Sequence, residues 1–366
     1  MPPEVYVEWI RTEIRNRHSA VPSHEISTLY FGGGTPSMIP PALIVSIIDE
    51  LANAGFHWGP STEMTIEINP ATLSEDNIQQ YVDRGINRFS VGAQTFNDDL
   101  LKICGRKHTA KDTVDTLELL NSRNLNFSFD LLFALPGQTL ADLRLDLQRT
   151  KDFRPNHVSA YCLTVPSGHP MAEGRAPEGE QIAMFDEIEN QLAEIGVLKY
   201  EISNFARPGF ESRHNMAYWS DADYWGVGLS SHSYFRDPHP GVRFWNPKDF
   251  PNYQTQLQRQ LTPAEPAYMA LPSRQIERLA VHEALTDFCH IFLRTRRGLH
   301  FDQLTDRFGK WARLVQDKIP KLAADGLLTQ TPEGVRLTKE GEVLSNRVFA
   351  ELTFLYEDLE PIERTV

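Results

Sequence analysis

Cysteine is what this sequence most conspicuously lacks. Its 366 residues hold three, Cys104, Cys162 and Cys289, with no Cys-x-x-Cys or Cys-x-x-x-Cys pair among them. A disulfide framework is therefore excluded as an organising principle, and a reducing compartment is expected. A locally assembled zinc or iron–sulfur site is disfavoured too, because such sites draw their cysteines from short spacings. Cys104, after an expected helix, and Cys162, in an expected strand, read as small buried hydrophobes. Basic charge is also in deficit: 36 Lys and Arg stand against 49 Asp and Glu, for a net charge of −13. That balance disfavours non-specific binding to nucleic acid or anionic lipid. No apolar run approaches the roughly 20 residues that span a bilayer. The first residues, Met1-Pro2-Pro3-Glu4-Val5-Tyr6, form neither a basic nor an apolar leader region, so no secretory signal is expected. These absences together predict a soluble, cytoplasmic protein.

What is present is a chain 41% hydrophobic, enough for a sizeable core and against wholesale disorder. Its length suits one large α/β domain and a smaller second one. Over the first 210 or so residues, short apolar runs alternate with helix-period segments, the pattern of βα units. Strands are expected at residues 27–31, 64–68, 88–92, 126–132 and 157–163, with a sixth at 198–203. Between them, Leu43, Ile44, Ile47, Ile48 and Leu51 share one helical face before Gly55. Ser74 caps a helix that ends near Arg84 and Gly85. Another helix runs through Val114, Leu117 and Leu120, and a long one carries Ile182, Phe185, Ile188, Leu192 and Ile195. Such alternation predicts a parallel sheet, either open or curled into a partial barrel.

From 204 to 263 the character changes. Phe205, His214, Tyr218, Trp219, Tyr224, Trp225, His232, Tyr234 and Phe235 cluster among glycines and prolines, and the stretch reads as ordered loop. Residues 272–324 read as helical, followed by short runs at 326–328 and 334–338 that suggest a winged-helix-like end. The expected division is a partial barrel at 1–210, an aromatic and histidine-rich connection at 211–265, and a C-terminal domain at 266–366.

Ligands collect at the carboxyl ends of parallel strands, so the residues delivered there matter most. The first strand delivers Gly32-Gly33-Gly34-Thr35-Pro36, the second Glu67-Ile68-Asn69-Pro70, the third Gly92-Ala93-Gln94 and the fourth Asp130. A glycine run lets a ligand approach bare backbone. No P-loop or Gly-x-Gly-x-x-Gly pattern is present. Each element has a plainer reading: the glycines as a tight turn, Glu67 as a solvated carboxylate, Gln94 and Asp130 as helix caps. Their occurrence in one order argues against four separate accidents.

That order resembles the oxygen-independent coproporphyrinogen oxidase and HemW branch of the radical S-adenosylmethionine proteins. The resemblance lies in Tyr30-Phe31-Gly32-Gly33-Gly34-Thr35-Pro36-Ser37, Glu67-Ile68-Asn69-Pro70, the run from Ser90 to Asn97, Gly105-Arg106-Lys107-His108 and the run from Asp130 to Thr139. The segment from Tyr200 to Gly209, leading into His214-Asn215-Met216-Ala217-Tyr218-Trp219, is similar to the HemW subgroup, whose heme-associated string is His-Asn-x-x-Tyr-Trp. The resemblance spans about residues 6–352. It implies that Gly33, Gly34 and Thr35 hold the methionine end of S-adenosylmethionine and that Glu67, Gln94, Arg106 and Asp130 contact other parts of it. Carboxylates suit ribose hydroxyls and an ammonium, and Arg106 offers a planar fork for a carboxylate. It further implies heme as ligand, with His214 on the iron beside Tyr218 and Trp219; the plainer reading of His214 is a hydrogen-bonded loop histidine. The implied activity is that of a heme chaperone serving an acceptor protein, compatible with a homodimer and with at most peripheral membrane association.

Two features depart from the family. Its members open with a strand and a Cys-x-x-x-Cys-x-x-Cys loop that holds a 4Fe–4S cluster, whereas this chain starts inside an expected helix at 5–15. The chain as written is not expected to initiate radical chemistry. Either its start is assigned too late or it is a cluster-less relative, and the unpaired edge left by a missing strand favours the former. Gly228-Leu229-Ser230-Ser231-His232-Ser233 also replaces a turn that is usually richer in glycine. A radical enzyme of the oxidase kind remains the alternative to a chaperone. Nucleic-acid binding near Arg294, Arg296 and Arg297 is a weaker one, since a basic helix end commonly caps carbonyls or meets a neighbouring domain.

Overall fold

The computed structural model describes residues 1–166, 168–259, 261 and 265–363. They fall into two compact units, one formed by residues 25–49 and 57–214, the other by residues 1–24, 50–56 and those from 215 onward. Helix α1 (Pro3–Arg17) opens the chain. Then follow β1 (Thr28–Phe31), α2 (Pro41–Asn53), β2 (Glu63–Ile68), α3 (Glu75–Asp83), β3 (Arg88–Gln94), α4 (Asp98–Ile103), α5 (Ala110–Ser122), β4 (Phe127–Phe133), α6 (Leu140–Phe153), β5 (His157–Cys162), α7 (Glu178–Ala193), β6 (Leu198–Lys199) and β7 (Asn204–Ala206). Helix α8 (Arg213–Tyr218) carries the chain from one unit into the other.

The α/β class and the five strands stand as the sequence predicts. Among the described residues the sheet has seven strands in the order β1-β2-β3-β4-β5-β7-β6. Strands β1 to β5 pair in parallel. The last two do not: β7 runs antiparallel to both β5 and β6. The expected single strand at 198–203 is instead a hairpin, because so short a connection between neighbouring strands forces antiparallel pairing. Helix starts follow local chemistry. The Ser74 side chain accepts from the Asn77 N–H, and Thr109 with Asp112 and Thr139 with Asp142 form reciprocal capping boxes. The core lies between the helices and one face of the sheet, where Met64, Ile66, Phe89, Val91, Phe129, Leu131 and Val158 are buried.

In the second unit the stretch expected as loop contains β8 (His232–Phe235), β9 (Val242–Trp245) and α9 (Phe250–Leu257), with β10 (Ile276–Arg278) completing an antiparallel sheet of order β10-β9-β8. Two of the clustered aromatic residues pack on that sheet: Phe235 is buried with Val242, Phe244, Tyr268 and Leu271, and Trp225 lies against them. Glu13 of α1 accepts from the Gly228 N–H at 2.9 Å and from the Asn246 side chain at 2.7 Å, and it pairs with Arg17. The turn that departs from the family's glycine-rich form bends at Gly228 and at Ser230, both with positive φ (+98° and +58°). The C-terminal segment runs α10 (Val281–Leu293), β11 (Leu299–His300), α11 (Phe301–Phe308), α12 (Ala312–Ala324), β12 (Leu328–Gln330) and β13 (Gly334–Leu337). With sheet order β11-β13-β12, this helix–strand–helix–helix–hairpin sequence is a winged helix, and α13 (Lys339–Val343), α14 (Ser345–Glu351) and α15 (Tyr356–Glu363) follow it. Among the described residues no helix is long and apolar enough to cross a membrane.

Candidate functional site

Side chains alternate across a strand, so the two faces of the large sheet can be read from the same residues. One face is the apolar core. The other carries Thr28 and Tyr30 on β1, Glu63, Thr65 and Glu67 on β2, Arg88, Ser90 and Gln94 on β3, Ser128 and Asp130 on β4, and His157, Ser159 and Tyr161 on β5. A parallel sheet covered on both faces reads as continuous apolar runs, and a packed barrel interior is filled by branched aliphatic residues. A polar inner face is suited to a polar ligand.

The residues predicted from the first four strand ends meet at the carboxyl edge of this face, on four neighbouring strands. Glu67 organises the first two. One carboxylate oxygen accepts from the Tyr30 hydroxyl at 2.6 Å and the other from the Gly33 N–H at 3.3 Å. A Cβ on Gly32 would stand 2.7 Å from the Glu67 carboxylate and 2.3 Å from the Tyr30 ring, so this glycine is required for space. Gly33 is required for conformation, with φ +85° and open surroundings, and Gly34 is likewise open. Thr35 accepts from the Met38 N–H through its carbonyl and is half-buried. Gln94 is buried with φ +65°, and its amide nitrogen lies 3.2 Å from where a Gly92 Cβ would be, over the polar face. The Asp130 carboxyl is pushed up to about 6, chiefly by desolvation and further by the Glu67 charge, against the Ser159 hydroxyl and the Arg106 and Arg88 guanidinium groups. Arg106 itself is exposed in the loop after α4.

His214 belongs to the same face. Its ring lies flat on Tyr30, centroids 4.4 Å apart and planes 10° from parallel, and its Nδ1 is 3.3 Å from the Thr28 hydroxyl. Glu63 holds the backbone, accepting from the His214 N–H at 3.0 Å and the Arg213 N–H at 3.2 Å. Desolvation pushes the imidazole down to about 4, so it is neutral at pH 7. Tyr218 and Trp219, expected beside it, belong to the other unit. There Tyr218 meets Tyr224 edge-on at 4.6 Å, and the Trp219 ring lies under the Arg294 guanidinium at 4.5 Å, a use of that basic helix end that is structural.

The strand-end reading missed Tyr30, Thr28, Glu63 and Arg88. The signal was the polar–apolar alternation in Thr28-Leu29-Tyr30-Phe31 and Glu63-Met64-Thr65-Ile66-Glu67-Ile68. The cysteines correct another expectation. Cys162 is exposed and Cys104 half-buried, Cys162 because it ends β5 where the strand's burial gives out. Only Cys289 is buried, and among the described residues no three His, Cys, Asp or Glu side chains are grouped to hold a metal ion.

Comparison with known proteins agrees with this architecture. Residues 8–149 match the model of the Radical SAM superfamily and residues 281–344 that of the HemN C-terminal domain. The coproporphyrinogen III oxidase HemN of Escherichia coli, a radical SAM enzyme, shares the fold, with a TM-score of 0.77 at 19% identity over 96% of this chain and 83% of that one. The fold is therefore of the radical SAM and HemN kind. Among curated relatives, the heme chaperone HemW of Synechocystis is 31% identical over 96% of this chain and 88% of its own length. That of Bacillus subtilis is 29% identical over 95% and 91%. The chain belongs to the HemW heme-chaperone family.

Proposed function

We propose that this chain binds heme through His214 and passes it to an acceptor protein, and that the mouth at the ends of β1 to β4 takes S-adenosylmethionine. The observation that carries the heme reading is the state of His214: a neutral imidazole, stacked on Tyr30, within the family's His-Asn-x-x-Tyr-Trp string. Only a neutral imidazole has a lone pair to give to iron. A ring N–H given to Thr28 would fix the tautomer and orient the other nitrogen, as a second partner does for metal-bound histidines. The curated relatives named above carry the name heme chaperone, which supports the same reading. Heme delivery needs affinity and release rather than net turnover.

The donor set of the mouth fits S-adenosylmethionine. Glu67 and Asp130 suit its ammonium and ribose hydroxyls, Arg106 its carboxylate, and the bare backbone of Gly33 and Gly34 a close approach. When reduced by a cluster, that cofactor supplies a carbon radical. The described residues do not fit a 4Fe–4S cluster: among them no three His, Cys, Asp or Glu side chains are grouped to hold a metal ion, and Cys289 is buried in an apolar core.

Hemin titration of the full chain and of His214→Ala tests the heme role. The wild type is expected to develop a Soret band, and the variant to bind at least about tenfold more weakly with a shifted band. Identical spectra and affinities would remove His214 from the account.

A further inference from the structure

The end of β3 holds a conformation that its own residues do not favour. Gln94 has φ +65°, and the Thr95 N–H donates across it to the Ala93 carbonyl at 2.8 Å. A three-residue turn centred on a left-handed, non-glycine residue is strained and persists only where its surroundings impose it. The pairing of β3 with β4 shifts register at this point.

What imposes it comes from the opposite side of the sheet. Asp146, on α6, is 2% exposed among Leu143, Leu147, Thr150 and Phe153 on that helix's buried face. Both of its carboxylate oxygens are taken by the two residues after Gln94: one accepts from the Thr95 hydroxyl at 2.8 Å, the other from the Phe96 N–H at 2.7 Å. A carboxylate in an apolar layer is costly, and a well-packed aliphatic residue is often at least as stabilising. Desolvation pushes this carboxyl up to about 6 even against those two donors. Packing alone gives no reason for an acid here; geometry does. With Thr95 and Phe96 pinned, the chain cannot relax out of the left-handed turn, and the Gln94 amide stays over Gly92 on the polar face.

We infer that Asp146 is a positioning residue of the mouth: from the core side it holds the turn that aims Gln94 at the bound nucleoside. The inference rests on the reading of the mouth as a S-adenosylmethionine site. It differs from a plain structural role, because removing Asp146 should matter to the ligand only while Gln94 has an amide to aim.

The test is a double-mutant cycle on the full chain, with S-adenosylmethionine affinity measured by equilibrium dialysis. Gln94→Gly removes the amide and tolerates the turn, and it is expected to weaken binding about tenfold, the worth of one good hydrogen bond. Asp146→Ala should cost a similar factor. The double variant should still lose only about tenfold, where independent effects would give about a hundredfold. Asp146→Asn, which can still accept from Phe96, should recover most of the affinity. Should Asp146→Ala fail to fold, Thr95→Val, which cuts one of the two pins, takes its place in the cycle. Wild-type affinity in the Asp146 variant, or multiplicative losses in the double variant, would overturn the role of Asp146 alone. A wild-type chain that does not bind S-adenosylmethionine would overturn the reading of the mouth and this inference with it.

Discussion

A methyl group added at Gly32 would find its place already taken by Tyr30 and Glu67. Gly33 has room but a backbone that L-residues rarely adopt, and Gly34 has neither restriction. Three adjacent glycines thus predict three different outcomes. Gly32→Ala should cost about 1–3 kcal/mol of stability through overpacking and displace Glu67 from the mouth. Gly33→Ala should cost about 1–2 kcal/mol through its left-handed backbone, and Gly34→Ala should be close to neutral. Urea denaturation of the three variants distinguishes them. Two titrating groups on the same face pull stability in opposite directions. Asp130, raised to about 6 from its ordinary 3.8, keeps a proton in the folded state that the unfolded chain has lost, so its contribution falls as pH rises from about 4 to 6. His214, lowered to about 4 from 6.5, is neutral when folded while the unfolded chain is protonated, so its contribution rises with pH from about 4 to 6.5. Asp130→Asn should therefore gain on the wild type in stability as pH is raised through that window, and His214→Asn should lose ground. Denaturation at pH 4.5 and pH 7 checks both signs.

Helix α6 shows how an element serves both packing and the mouth. Its start is set by the Thr139 capping box and its end by Arg154, which takes a left-handed conformation (φ 49°, ψ 53°) on an exposed side chain. Glycine is the usual residue there, so Arg154→Gly should raise stability by roughly 0.5–1 kcal/mol, read as a higher urea midpoint with unchanged slope. The long elements were legible in the sequence because each displays one strong period: the apolar stripe of α2, the Ser74 cap of α3, the five apolar strand runs. The strand-end motifs were legible as well, since their types and order are unusual. Short elements were not. Helix α4 spans six residues, too few to show a period, and β8 and β9 span four each in a stretch whose aromatic density hid their alternation. The clamp on Gln94 was also out of reach, because Asp146 lies in a helix some fifty residues away and its pairing exists only in the folded chain.

Within the first unit the polar face joins both proposed ligand positions. Tyr30 stands between them, its ring against His214 and its hydroxyl on Glu67, and burial with the Glu67 charge pushes the phenol's pKa well above its ordinary value, keeping it a donor. The residues of the mouth were named from motifs, but the polar face was the stronger physical clue: an apolar core on one side of a sheet obliges no serine, arginine or carboxylate on the other. In the proposed reading the ends of β1 to β4 act as one ligand mouth. Hydrogen–deuterium exchange of the full chain with and without S-adenosylmethionine tests it most directly. Added cofactor should slow exchange together in residues 31–36, 67–70, 92–96 and 130–135, which lie far apart in sequence. Protection confined to one of these segments, or falling on other parts of the chain, would contradict the account.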